Sequence, residues 1–394
     1  MVSVFDPREK IMETTVLLLG CLGGIITCLT LFPLRAYLER RRVFDVPNER
    51  SSHRRPTPRG GGLVIVGVVL VGWLLFEIFT ASVPWVTTAT FALASCLIAA
   101  VSWVDDIRTL QAGVRFAVQS LSAILAMMSF GLWETLTLPG LGAIPLGWLG
   151  LPVTFLWIVG MTNAYNFMDG IDGIAGSQAL VAGIGWALLG WLTGLPILSS
   201  LGLLVAASSL GFLVHNWSPA RIFMGDVGSA FLGYTFALLP LMMKSFSQNQ
   251  MVSDRAFFIG VLMLWPFAAD TAFTIVRRLR LGENIFTAHR MHLYQRLITL
   301  GFSHRWVTVC YAALALAGVI IAVGWSIDVP VSEACAPVIL LFGLALWVFI
   351  AIQERRGAIT RGSEIGMDLG GVSSLPKPRV TVNASEAPTR RSAA

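Results

Sequence analysis

Residues 144–192 read IPLGWLGLPVTFLWIVGMTNAYNFMDGIDGIAGSQALVAGIGWALLGWL, and this stretch decides the fold. Two apolar runs, 144–161 and 174–192, flank a polar island from Asn163 to Gly173. A run of about 20 apolar residues is long enough to cross a bilayer. Inside lipid, the backbone satisfies its own N–H and C=O groups only as a helix or a closed barrel. The runs are continuous rather than alternating, which excludes the barrel. The island therefore lies where a membrane helix meets water. Within it, Asn163, Asn166, Asp169 and Asp172 recur every third residue, a spacing that keeps near neighbours on one side of a helix. Gly170 and Gly173 work against a long regular helix there and let the backbone approach a ligand closely. Such oxygen donors suit a hard cation like Mg²⁺ held jointly with phosphate oxygens. The simpler alternative is a capped helix start after a tight turn.

Composition extends this reading to the whole chain. Of 394 residues 55% are hydrophobic and only 13% charged, with a mean hydropathy of +0.74; a soluble domain carries about 25% charged residues. The expected fold is an all-α, polytopic membrane bundle of about eleven spans: 13–34, 62–80, 86–104, 114–132, 143–161, 174–193, 197–214, 227–244, 256–275, 306–325 and 334–352. Alternation of sides puts 24 of the 28 Lys and Arg on one face, which the positive-inside rule assigns to the cytoplasm. The N-terminus is then periplasmic and the C-terminus cytoplasmic. The net charge of +6 is topological and does not point to nucleic acid. No cleavable signal is expected, because Asp6, Glu9 and Glu13 interrupt the basic character before the first run. The five cysteines are scattered through apolar runs and support neither zinc nor disulfides. A membrane domain is expected over 1–352, followed by a disordered cytoplasmic tail over 353–394 that is rich in Ser, Pro, Gly and Arg.

Polar motifs concentrate on the cytoplasmic side. The first loop ends His53-Arg54-Arg55-Pro56-Thr57-Pro58-Arg59-Gly60-Gly61-Gly62. Its prolines forbid a regular helix, and its arginines and glycines suit phosphate oxygens, with His53 and Arg59 as candidate contacts. For Arg40 to Arg42 a membrane anchor is the simpler reading. Asp105 and Asp106 end the third span, where adjacent carboxylates are costly without partners and compete for protons, so one is a candidate proton acceptor. Arg115 and Gln119 follow one turn apart and can reach the same pocket. Gly225-Asp226-Val227-Gly228-Ser229 places one carboxylate in a tight turn before an apolar helix. That geometry fits a metal ligand, with amides at the helix start for phosphate, or a plain N-cap. His289, Arg290 and His292 fit a zinc pair, a diphosphate or sugar contact, or an ordinary surface.

All these carboxylates fall at cytoplasmic helix ends, whereas a transporter concentrates ionisable groups near the bilayer midplane. No P-loop is present, so ATP-driven transport is unsupported. The pattern favours an enzyme joining a water-soluble, phosphate-bearing substrate to a lipid. A lipid-linked sugar transporter or binding protein without chemistry is the alternative. A CDP-alcohol phosphotransferase is disfavoured, since Asp172-Gly-Ile-Ala-Gly176 stops short of the required arginine.

Across residues 40–300 these motifs, in this order, resemble those of the polyprenyl-phosphate N-acetylhexosamine-1-phosphate transferases. The first loop is most similar to the O-antigen-initiating branch. The missing three-histidine run at 289–292 departs from the lipid I branch and argues against a muramyl-pentapeptide substrate. The resemblance implies transfer of HexNAc 1-phosphate (GlcNAc or a 6-deoxy sugar such as FucNAc) from UDP-HexNAc to undecaprenyl phosphate at the bacterial inner membrane, with Mg²⁺ or Mn²⁺ as cofactor. Its partners are those two substrates and the lipid bilayer; a homodimer is allowed and nucleic acid is not expected. By the same resemblance Asp226 is the principal metal ligand and Asn166 a second. Asp105, with Asp106 beside it, positions or deprotonates the lipid phosphate. Asp169 and Asp172 belong to the nucleotide and metal site. Arg115, His289, Arg290 and His292 contact phosphates or sugar, and Asn163, Asn166, His53, Arg59 and Gly225 complete the substrate contacts.

Overall fold

The structure, a computed structural model, describes residues 7–47, 52, 53, 55–283 and 291–370. Contacts divide the chain into two units, 1–345 and 346–394. The first unit carries the polar motifs. In order it contains α1 (Pro7–Arg40), β1 (Phe44–Asp45), β2 (Thr57–Pro58), α2 (Gly62–Thr80), α3 (Trp85–Ile107) and α4 (Ala112–Phe130). There follow β3 (Thr135–Leu138), β4 (Gly142–Pro145), α5 (Gly150–Met168), α6 (Ile174–Thr193), α7 (Pro196–Asn216) and α8 (Asp226–Phe246). The series closes with α9 (Gln250–Met263), α10 (Trp265–Arg280), α11 (Leu293–Thr299), α12 (His304–Ser326) and α13 (Pro330–Gly370). In the second unit α13 continues to Gly370.

The protein is a polytopic helical membrane protein. Among the described residues nine helices are long and apolar enough to cross a membrane, and the bent α9–α10 pair makes ten. Eleven spans are not reached on this measure, because Thr162, Asn163 and Asn166 dilute the apolar character of α5.

Two expected spans change shape. The one read at 143–161 begins only at Gly150, because Gly142–Pro145 pairs antiparallel with Thr135–Leu138. Pro139-Gly140 makes the turn, with Gly140 at φ +74°, and Pro145 cannot continue a strand ladder or a helix. The span read at 256–275 breaks at Leu264 into α9 and α10, bent by 73°. Pro266 lacks the N–H that a continuous helix would need there, and fits the first turn of a new one.

α8 is the centre of the unit. From Val227 to Met243 every residue is buried, against α2, α3, α5 and α9. Its small residues permit this: a Cβ on Gly228 would overlap the backbone of Gly62 at the start of α2. A helix packed on all sides cannot shift without moving its neighbours, so whatever its first residue carries is held in a fixed place. That residue is Asp226.

Candidate active site

The α8 N-terminus begins with unsatisfied backbone N–H groups and the positive end of the helix dipole. Asp106, near the end of α3, satisfies two of them. Its Oδ1 accepts from the Asp226 N–H at 2.9 Å and its Oδ2 from the Val227 N–H at 3.0 Å. The preceding Gly225 has φ +78°, and a Cβ there would press on the Asp106 carboxylate. Glycine is needed on both counts.

Two arginines knit the carboxylates together. The Arg59 guanidinium reaches Asp106 Oδ1 at 2.6 Å through Nε and Asp226 Oδ1 at 2.7 Å through Nη2. Arg115 on α4 reaches Asp105 Oδ2 at 2.6 Å and Asp226 Oδ2 at 3.6 Å. Asp105 Oδ1 also accepts the Leu110 N–H at 2.6 Å. Burial alone would lower the Arg59 pKa, but Asp226, Asp106 and Asp45 push it further above its usual value. The strap before α2 is fixed to the loop before α8: the N–H groups of Gly60 and Gly61 donate to Phe223 O, and that of Gly62 to Met224 O.

The turn between α5 and α6 completes the site. α5 stops at Met168, so the polar motif is split rather than laid along one helix face. Asn163 exchanges hydrogen bonds with Gln119 of α4 at 2.7 and 3.3 Å. Asn166 donates to Ser229 Oγ of α8 at 2.8 Å. Asp169 lies beyond the helix. Its burial first, and the charge of Asp226 next, raise its carboxyl to about 7, against the pull of Arg59. Asp172 behaves oppositely. Burial would raise its pKa, but hydrogen bonds from His304 (3.5 Å) and the Ala220 N–H (3.2 Å) hold it below the ordinary value. A cavity of about 230 Å³ opens among these groups, lined by Asp45, His53, Arg59, Asp169, Asp172 and Asp226.

The expected residues therefore take distinct places. His53, Arg59, Asp169, Asp172, Gly225 and Asp226 line the cavity. Asp105, Asp106 and Arg115 stand behind it as the ionic frame, and Asn163 and Asn166 tie α5 to α4 and α8. His292 is buried, with Nδ1 3.3 Å from Asp270 Oδ1. His289 and Arg290 lie outside the described residues.

Three contributors escaped the sequence reading. Asn216 accepts the Gly173 N–H at 2.9 Å and donates to Ile222 O at 2.9 Å, joining the two polar loops. His304 pairs with Asp172 from a segment with no motif. Asp270, inside α10, accepts from the N–H groups of Leu293 (2.7 Å) and Tyr294 (3.2 Å) and from the Tyr311 hydroxyl (2.7 Å). It thus fixes the start of α11, whose Gln295 lines the cavity. A lone acid in an apolar run was the only available signal for it, and such an acid is costly in lipid unless partnered.

This chemistry suits an anionic, phosphate-bearing ligand: the Arg59 guanidinium and a carboxyl that titrates near neutrality face one cavity. Among the described residues no three His, Cys, Asp or Glu side chains converge on a point that would hold a metal unaided. Asp226, which lines the cavity, is nevertheless a suitable donor for Mg²⁺, which takes one or two protein oxygens and draws the rest from water and phosphate.

Residues 88–244 match Glycosyl transferase family 4. The probable undecaprenyl-phosphate N-acetylglucosaminyl 1-phosphate transferase of Bacillus subtilis is 34% identical over 287 residues, 71% of this chain and 78% of that protein. The decaprenyl-phosphate N-acetylglucosaminephosphotransferase of Mycobacterium tuberculosis is 31% identical over 314 residues, 74% of this chain and 78% of its own. A phospho-N-acetylmuramoyl-pentapeptide-transferase of a Synechococcus species is 35% identical over 238 residues, but these are only 57% of this chain and 67% of that protein. By these matches the chain belongs to the polyprenyl-phosphate N-acetylhexosamine-1-phosphate transferases.

Proposed function

We propose that this protein transfers N-acetylhexosamine 1-phosphate from a UDP-linked donor to undecaprenyl phosphate, giving undecaprenyl-diphospho-HexNAc and UMP. The observation that carries the reading is the convergence of Arg59, Asp169 and Asp226, from three distant motifs, on one cavity at the helix ends. The acceptor phosphate attacks the phosphorus that bears the sugar, and the bond to the UMP phosphate breaks. Arg59 and Arg115 bind and neutralise the diphosphate. Asp169, titrating near neutrality, takes a proton from the acceptor phosphate. Asp226 and Asn166 hold a divalent cation, Mg²⁺ or Mn²⁺, which supplies Lewis-acid stabilisation of the departing phosphate when bound.

GlcNAc is the first donor to test, because the names of two relatives specify it. The setting we propose is the first membrane step of a surface polysaccharide such as O-antigen, on the cytoplasmic side of a bacterial inner membrane. The charge asymmetry of the loops supports that side. In this topology α5 and the bent α9–α10 pair each count as one crossing.

The test is UMP release by purified protein in detergent, given undecaprenyl phosphate, Mg²⁺ and a panel of UDP-HexNAc donors. Lipid-dependent UMP from one donor, abolished by EDTA, supports the reading. Sugar-lipid binding without UMP turns it toward a transporter or binding protein.

A further inference from the structure

We propose that Arg59 is the resident counter-ion of Asp226: it withholds the carboxylate from a divalent cation until a nucleoside diphosphate draws its guanidinium away. The inference rests on the transferase reading and assigns Arg59 a positioning role within it.

Both oxygens of Asp226 face guanidinium groups, Oδ1 with Arg59 at 2.7 Å and Oδ2 with Arg115 at 3.6 Å. Mg²⁺ binds oxygen at roughly 2.0–2.1 Å. Bound to Oδ1, it would share that atom with Arg59, and the two positive charges would repel strongly at such separation. Either oxygen thus offers the cation a place beside a guanidinium, and Arg59, the nearer of the two, opposes its binding most.

The backbone cannot relieve the conflict. Phe223 N donates to Pro58 O at 2.8 Å, Gly62 N donates to Met224 O at 2.8 Å, and Gly62 packs against Gly228 too closely for any side chain. Strap and loop move as one piece, so relief falls to the side chains, and the longer, partly exposed Arg59 has the wider reach. Asp106 tolerates its departure, because two α8 amides still hold that carboxylate. Asp226 is then left with the longer Arg115 contact at 3.6 Å and becomes the more open acceptor.

Arg59 also has somewhere to go. Its side chain is 27% exposed, and both it and Asp226 line the cavity beside His53. A diphosphate there meets the guanidinium fork on its open side and offers it a bidentate anion in exchange for Asp226. Cation and nucleotide binding are then coupled, each favouring the other.

The experiment titrates purified, nucleotide-free protein with Mn²⁺ and follows the free ion by electron paramagnetic resonance. Arg59→Gln is expected to bind Mn²⁺ at least tenfold more tightly than wild type. In EDTA the same variant is expected to bind UDP at least tenfold more weakly. Unchanged or weaker Mn²⁺ binding by a monodisperse Arg59→Gln overturns the proposal. Should that variant aggregate, Asp226→Asn decides in its place: UDP binding in EDTA at least tenfold tighter than wild type, through a released Arg59, supports the counter-ion role, and unchanged or weaker binding overturns it. Wild-type UMP release separates the two levels. Turnover with no change in Mn²⁺ affinity sinks the counter-ion role alone. No turnover with tighter Mn²⁺ binding by the variant sinks the transferase reading and keeps the Arg59–Asp226 relationship.

Discussion

The carboxylate of Asp106 caps the helix that begins at Asp226, 120 residues further along the chain, at 2.9 Å. One buried acid thus fixes the position of another acid that faces the cavity. Asp106→Ala would leave two helix amides and Arg59 without that partner. Breaking a buried, hydrogen-bonded charge pair costs roughly 3–5 kcal/mol, so thermal unfolding in detergent should show a clear loss of stability. Asp106→Asn, which keeps one acceptor oxygen, should unfold between the two. Wild-type stability in the alanine variant would show that the cap is dispensable.

Asp226 and Asp105 differ in what they touch. Asp226 faces the cavity, whereas Asp105 is held by Arg115 and the Leu110 N–H. Removing a group that stabilises transition-state charge costs about 10²–10³ in rate. Asp226→Ala should lose at least that much UMP release while the protein still inserts and elutes as wild type. Asp105→Ala should also fall, through a freed Arg115. Near-normal rates in both would refute the site.

The Asp169 carboxyl, raised from 3.8 to about 7, sets a pH window. Below about 7 it is protonated and cannot accept a proton, so kcat/KM for UMP release should decline toward acid pH. Asp169→Asn should be slow and lack that limb. The sign for stability follows from linkage. The folded pKa lies above the unfolded one, so the stabilising contribution is present below about 4 and is lost as pH rises through about 7. The ligand-free protein should therefore lose stability across that interval, and Asp169→Asn should flatten the profile. An acid limb that survives the substitution would exclude Asp169 as its source.

Asp270 is 2% exposed and holds the start of α11 through Leu293, Tyr294 and His292, while Tyr294 reaches Phe167 O at 3.1 Å. Asp270 is thus a buried anchor of the α11 wall of the cavity. Asp270→Ala should destabilise the protein by about 3 kcal/mol or more and raise KM for the UDP-sugar. Tyr294→Phe, which loses one hydrogen bond, should cost about 1 kcal/mol. Equal, small effects in both would mean that α11 is anchored elsewhere.

The sequence by itself determined the class of fold and where chemistry gathers. Apolar runs of bilayer length must be helical, because each backbone group is satisfied within its own segment. Asn163 to Asp172, Asp105-Asp106 and Gly225-Asp226 stood out because polar residues are rare beside such runs. Local rules also missed local features that a closer reading would catch, namely the Pro139-Gly140 hairpin turn and the break before Pro266. Tertiary structure alone decided the pairing. Arg59 meets Asp226 across 167 residues, Asp106 turned out to be a cap, and Asp270, Asn216 and His304 acquired roles without any motif. The physical reason is that helix formation depends on neighbours in the chain. The partner of a charged side chain depends on which helix ends packing brings together, and spacing along the sequence does not encode that.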